Sequence, residues 1–308
     1  MVQEMRSYKH LGKIMLAAWL GLLAGLSPCH ALAEVQVDQL GRQVPVPATP
    51  QRLVTLAASL TEMVFAVGLG SRLVGVEQFS DYPPAARALP KVGSYKIPDL
   101  ERIVALQPDL CLAIKDGNPP YVLERLRGLG IPVYVVDPRN LPGVIATVEE
   151  IGHLLGAEGK AGELAAALDR RYQRIKGLAA QVAHRPRVFF QIGLSPIVSA
   201  GSHTFLDELI ATAGGLNLAA GKVPYPRFSQ EQILALQPEV IIITSMARGG
   251  AFEQVKAGWE RWPTLPAARN HRIFLVDSDL VDRPAPRLLD GLEILFRLIH
   301  PELAGELS

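Results

Sequence analysis

Residues 101–110, ERIVALQPDL, recur as residues 231–240, EQILALQPEV, 130 positions further along the chain. A repeat at that spacing calls for two halves of similar build, because the same apolar positions are buried twice only if both copies sit in equivalent tertiary settings. Each copy reads as a short helix that ends before a proline, whose ring disfavours the right-handed helical conformation in the residue ahead of it. A buried strand follows in both. Each copy also puts one glutamate, Glu101 or Glu231, in the first helical turn, where a carboxylate complements the helix dipole.

The surrounding pattern alternates short apolar runs with amphipathic stretches, which predicts βαβ units and mostly parallel sheets. Strands are expected at 52–56, 73–76, 109–114 and 132–136, with helices near 100–106, 120–129 and 142–155. Ser59-x-x-Glu62 reads as a capping box opening a further helix that stops at Gly68 and Gly70. Residues 158–183 break the rhythm. Their apolar residues Leu164, Leu168, Tyr172, Ile175, Leu178 and Val182 recur at three and four, which predicts one long helix, with Arg170, Arg171, Arg174 and Lys176 on its solvated face. Strands at 187–192, 240–244 and 272–277 and helices at 204–213, 230–236 and from Pro286 complete the pattern. The fold class is therefore α/β, two lobes joined by one long helix: 34–157, 158–185 and 186–308, after a leader at 1–33.

That leader has a basic stretch ending at Lys13, an apolar run from Ile14 to Leu26, and Ala31-Leu32-Ala33 before Glu34, the layout of a cleavable export signal. Its apolar run falls short of the roughly 20 residues that span a bilayer. Pro28 ahead of Cys29 does not suit lipidation. Removing residues 1–33 takes away Arg6, Lys9, Lys13 and Glu4 and leaves a formal charge of −1. Such a balance gives no footprint for nucleic acid or an anionic membrane. Cys111, flanked by Leu110 and Leu112, is then the lone cysteine, so no internal disulfide forms and core filling is expected.

Catalytic patterns are missing. The chain has no G-x-S-x-G elbow, H-E-x-x-H or C-x-x-C; Gly221-Lys222 lacks the rest of a phosphate loop, and Gly68-x-Gly70 lacks a third glycine and follows a helix. His153, His184, His203, His271 and His300 are scattered without ligand spacing. No enzyme activity, cofactor or metal is expected.

Three stretches carry a resemblance: Ser80-Asp81-Tyr82-Pro83-Pro84 followed by residues 100–106; Val223-Pro224-Tyr225-Pro226 leading to Ser229-Gln230-Glu231-Gln232; and Ser278-Asp279 with Arg283, Pro286 and Arg287 beyond. Together they resemble the periplasmic substrate-binding proteins of cobalamin and iron–siderophore importers, over roughly residues 50–300, and the cobalamin branch most closely. The resemblance implies a monomer of two lobes, limited hinge motion and a small-molecule ligand held between the lobes. It implies that Glu101 and Glu231 contact arginines on a dimeric permease coupled to a cytoplasmic ATPase, and a two-fold partner would present its basic patch twice. It also implies that Phe79, Tyr95 and Tyr225 cover the ligand's faces while Asp279 and Arg283 meet its edges. A corrin is broad, apolar and fringed with amides, so flat side chains and a few fixed polar groups suit it.

The chain departs from the cobalamin branch where that branch has tryptophans, with Tyr95, Tyr225, Ile114 and Leu280, and where it has a phenylalanine, with Ile192. Two ring faces are lost, and a second-lobe disulfide is absent. A smaller corrinoid, haem or a ferric siderophore stays open, since Lys96, Arg227, Arg283 and Arg287 could meet carboxylates or catecholates. From other classes, an extracytoplasmic enzyme such as a chelatase and a ligand-sensing receptor subunit stand as alternatives.

Overall fold

The computed structural model describes residues 33–221, 223–244 and 251–307; the leader up to Leu32, Cys29 and Lys222 lie outside the described residues. Four parallel strands, in the order Leu73–Val76, Leu53–Thr55, Leu110–Ile114 and Val133–Val136, form the first sheet. They are apolar and buried along nearly their whole length, as parallel strands covered on both faces must be. Helices Ala58–Ala66, Leu100–Ala105 and Pro120–Gly128 cross between them, and Leu141–Leu155 leads out of the lobe. The second sheet is built on Arg187–Leu194, Val240–Ile243 and Ile273–Leu275, all parallel, with Leu216–Asn217 pairing alongside the first of these. Ile197–Ser199 and Arg227–Phe228 add an antiparallel margin.

A hairpin that the sequence pattern did not suggest, Ala33–Val37 with Gln43–Pro47, opens the described chain. Buried Asp38 closes its turn by accepting from the amides of Leu40 and Arg42 and from Arg42 Nε. The Tyr134 hydroxyl then ties it to the first lobe by donating to the Val37 carbonyl at 3.0 Å.

The repeat is matched in detail. Helix Leu100–Ala105 is capped by Asp99, helix Gln230–Leu236 by Ser229 in a full capping box with Gln232. At their far ends Gln107 and Gln237 both take φ 48°, so the residue before each proline escapes the right-handed region into the left-handed one. One arginine per lobe then satisfies carbonyls that the helix leaves without partners. Arg52 donates to Leu106 O at 2.6 Å and Gln107 O at 3.0 Å, and Arg187 donates to Leu236 O at 2.5 Å. Asp109 and Glu239 hold the backbone amides of those same arginines at 3.0 and 2.9 Å.

The bridging helix runs Glu158–Ala179, shorter at its end than expected, and buries Ala161, Ala165, Leu168, Tyr172 and Ile175 on one stripe. That stripe belongs to a single apolar cluster containing Val148, Ile151 and Leu155 of the first lobe and Val188, Leu209, Leu292 and Phe296 of the second. At the tightest crossing, a Cβ on Gly152 would meet the Ala161 methyl at 2.0 Å, so only glycine admits this approach. The expected solvated face is partly occupied. Arg171 bonds Asp290 at 2.6 Å and Glu293 at 2.7 Å on helix Leu288–Ile299, and Arg174 bonds the Glu306 carbonyl. Long side chains on this helix thus reach back over the second lobe.

The capping box expected at Ser59 and Glu62 does not form. The N-cap is Ala57, without a side-chain bond, and both residues lie inside the helix and buried. Glu62 is drawn away by partners on the other lobe.

Candidate functional site

In a parallel sheet the crossover helices run back along the strands, so the loops at the strands' C-terminal ends gather on one side, where α/β proteins hold ligands. Here Thr55 leads to the helix bearing Thr61 and Glu62, Val76 to Glu77 and Phe79, and Ile114 to Asp116 and Gly117. From the second sheet, Leu275 leads to Asp277, Asp279, Asp282, Arg283 and Arg287. These two sets of loops face each other where the lobes meet, joined by the pairs of Arg283 and Arg287 with Glu62 and Asp81, and this junction is the crevice of the candidate site. Glu101 and Glu231, at the N-termini of crossover helices, belong by the same topology to the C-terminal ends of their sheets.

The first wall is set by buried polar groups. Thr55, Thr61 and Ser80 form a hydroxyl chain with steps of 2.7 and 2.8 Å, fixing the strand end to the loop that follows Phe79. The buried Glu77 carboxylate accepts from Phe79 N at 2.7 Å and Tyr95 N at 3.2 Å. Desolvation raises its pKa, opposed by those two amides and by Arg283 and Lys91. Asn118, also buried, donates to the carbonyls of Tyr95 and Leu56 at 2.9 and 2.8 Å and accepts from Ile114 N. Tyr95 is thereby gripped on both sides of its backbone.

The expected aromatic residues come to this crevice. Phe79 and Tyr225 are 53% and 59% exposed, too open for core packing; Tyr95 is half-buried, its ring 3.1 Å from where a Cβ on Gly117 would stand. Tyr225, on the second lobe, is influenced by Asp116 beside that glycine and by Asp282; partial desolvation first, then these carboxylates, raises its phenol. Asp282 keeps contact with solvent within the crevice, yet the surrounding protein mass, followed by Asp279, raises its carboxyl to about 7. Asp282 and Glu77 were not singled out from the sequence, which carries no local pattern for either.

Asp279 and Arg283 pair with each other at 2.8 Å, and Arg283 goes further. Its Nη1 reaches Glu62 at 3.2 Å and Asp81 at 3.0 Å, and its Nη2 reaches the Phe79 carbonyl at 3.3 Å. Arg287 makes a bidentate pair with Glu62, at 2.8 and 2.7 Å, while its guanidinium stacks 3.8 Å from the Tyr82 ring centroid. The lobes are therefore tied at the crevice by ions. Lys96 rests 5.6 Å from the Tyr95 ring, and Arg227 is exposed. A shallow depression lined by Gln230, Gly258, Arg261 and Trp262 lies beside Glu231 and is separate from these walls.

Glu101 and Glu231 each stand in a first helical turn; the Ser229 side chain, then its own backbone amide, lowers the Glu231 carboxyl. Among the described residues no group of three His, Cys, Asp or Glu is arranged to hold a metal, and no helix is long and apolar enough to cross a membrane. The walls offer ring faces and fixed hydrogen-bonding edges, a chemistry of holding.

Known proteins share this architecture. The vitamin B12-binding protein of Vibrio cholerae serotype O1 is 36% identical over 253 residues, covering 81% of this chain and 88% of that protein. The crystal structure of the periplasmic vitamin B12-binding protein of Vibrio cholerae superposes with a TM-score of 0.73 at 31% identity, covering 83% of this chain and 98% of that one. The periplasmic heme-binding protein from Roseiflexus sp. RS-1 in its apo form gives 0.72 at 29% identity, covering 82% and 98%. Residues 53–280 match the family described as periplasmic binding protein, and with two α/β lobes, a helical bridge and a crevice at the strand ends, this chain belongs to that family of solute-binding proteins.

Proposed function

We propose that the protein captures a corrinoid of the cobalamin type between its lobes and passes it unchanged to a dimeric permease driven by a cytoplasmic ATPase. The observation that carries this reading is the convergence of Phe79, Tyr95 and Tyr225 on one crevice, with two of the three more than half exposed. Exposed rings beside a crevice suit a broad apolar ring system, with Asp279 and Arg283 at its edges. The vitamin B12-binding relatives support the choice of guest. The corrinoid is cargo rather than a cofactor, and the leader at 1–33 directs the chain to the periplasm.

Titration of the purified protein with cyanocobalamin, followed by absorbance and calorimetry, should saturate at one equivalent. Tyr95→Ala and Tyr225→Ala should each weaken binding by about tenfold, the worth of roughly one well-packed aromatic contact. Saturation by haemin or a ferric siderophore with no response to cyanocobalamin would overturn the corrinoid assignment. For delivery, Glu101 and Glu231 are the docking residues: changing both to alanine should abolish uptake by a reconstituted importer while ligand affinity holds, since rim charges act mainly on association and orientation.

A further inference from the structure

The crevice contains two guanidiniums that are already engaged by carboxylates. Arg287 gives Nε and Nη2 to the two oxygens of Glu62 and its flat face to Tyr82. Arg283 divides its donors among Glu62, Asp81, Asp279 and the Phe79 carbonyl. Their side chains are 16% and 14% exposed, and that of Glu62 is 2% exposed. Three carboxylates thus surround two guanidiniums, leaving the cluster with one negative charge in excess. Lys91, nearby, donates to the carbonyls of Ser80 and Ala86 at 2.6 and 3.0 Å.

A guest bearing carboxylates or catecholates is held through charge-assisted hydrogen bonds, bidentate ones to arginine above all. The relatives of this chain include a heme-binding protein, and haem carries two propionates, so this scaffold accommodates guests of opposite electrical demand. We infer that Glu62 sets the class of ligand: by pairing bidentately with Arg287 and sharing Arg283 with Asp81 and Asp279, it neutralises the charge that both guanidiniums would offer an anionic guest, and so favours neutral, amide-bearing guests, to whose edges Arg283 can still donate. This rests on the reading of the crevice as a capture site, and not on the guest being a corrinoid. Lys96 and Arg227 stay exposed and outside this paired cluster, where hydration weakens their hold on an anion.

The test is calorimetric titration of the wild type, Glu62→Gln, and Glu62→Gln combined with Arg283→Gln and Arg287→Gln, using haemin, a ferric tris-catecholate and cyanocobalamin as probes, with circular dichroism to verify folding. Glu62→Gln should gain about tenfold or more for the two anionic probes, as expected for one or two charge-assisted bonds, and change by less than about threefold for cyanocobalamin. The triple variant should lose the gain. Should Glu62→Gln fail to fold, Asp81→Asn, which removes one of the three carboxylates on Arg283 and none from Arg287, should gain about threefold in the same direction. A folded variant without the gain, a gain that survives loss of both arginines, or a wild type that already binds haemin as tightly as Glu62→Gln would overturn the inference. A wild type indifferent to cyanocobalamin, with the anionic probes responding as stated, would overturn the corrinoid reading alone.

Discussion

The lobes meet twice, and the two meetings are of opposite kinds. Along the bridging helix they share one apolar cluster, in which Ile175, Leu168 and Ala161 are buried together with side chains from both halves. At the crevice they meet through Glu62, Asp81, Arg283 and Arg287. Apolar packing is non-directional and tolerates small rotations, whereas a bidentate ion pair holds only at one distance and angle. The first contact acts as an axle and the second as a latch, so the limited motion expected of the lobes should depend on side chains at the crevice rather than on the helix.

The strongest challenge to that division is Glu62→Ala. It leaves two guanidiniums without their central carboxylate and should cost about 3–5 kcal/mol in urea unfolding, with a larger radius of gyration by X-ray scattering as the latch releases. Ile175→Ala should cost about 2–5 kcal/mol, yet leave the radius of gyration of the folded protein unchanged. If the helix variant opened the lobes and the carboxylate variant did not, the roles would be reversed. A smaller effect is expected from Glu77→Gln. Its amide can accept from one of the two backbone donors but not both, so stability should fall by about 1–3 kcal/mol, and cyanocobalamin binding should weaken as Phe79 and Tyr95 loosen.

The smallest belongs to Asp282. Its folded pKa, about 7, lies above the ordinary value of 3.8, so between these limits the folded protein binds more protons than the unfolded chain. Stability from this group is therefore fully present below about pH 4, falls as pH rises toward 7, and levels off above. Because the side chain reaches solvent, the change should be about 1 kcal/mol or less. Asp282→Asn should flatten that part of the stability profile measured by thermal melts from pH 4 to 8, and an unchanged profile would remove Asp282 as its source.

The axle was legible in the sequence and the latch was not. Leu168, Tyr172 and Ile175 repeat at helical spacing, so the stripe they form is written locally. The repeat at 101 and 231 was equally plain, down to the paired helix ends, although the arginines that close those ends, Arg52 and Arg187, lie far from them in the chain. Glu62 was misread because Ser59-x-x-Glu62 has the form of a cap, while its actual partners are 221 and 225 positions away. Phe79 and Tyr95 were named from the family resemblance, as residues that fall outside periodic segments. Glu77, which holds both, offered no such irregularity, since its role consists of bonds to two backbone amides that only the fold brings near.

One further property follows from the placement of Cys111. Its side chain is wholly enclosed in the central strand of the first sheet, and burial, with Asp109 nearby, pushes the thiol well above its usual range. Alkylation at neutral pH then requires the strand to be uncovered, so the rate of thiol modification becomes a clock for opening of that lobe alone. Slowing of this clock when a guest is added would register occupancy from within the protein, without any introduced label.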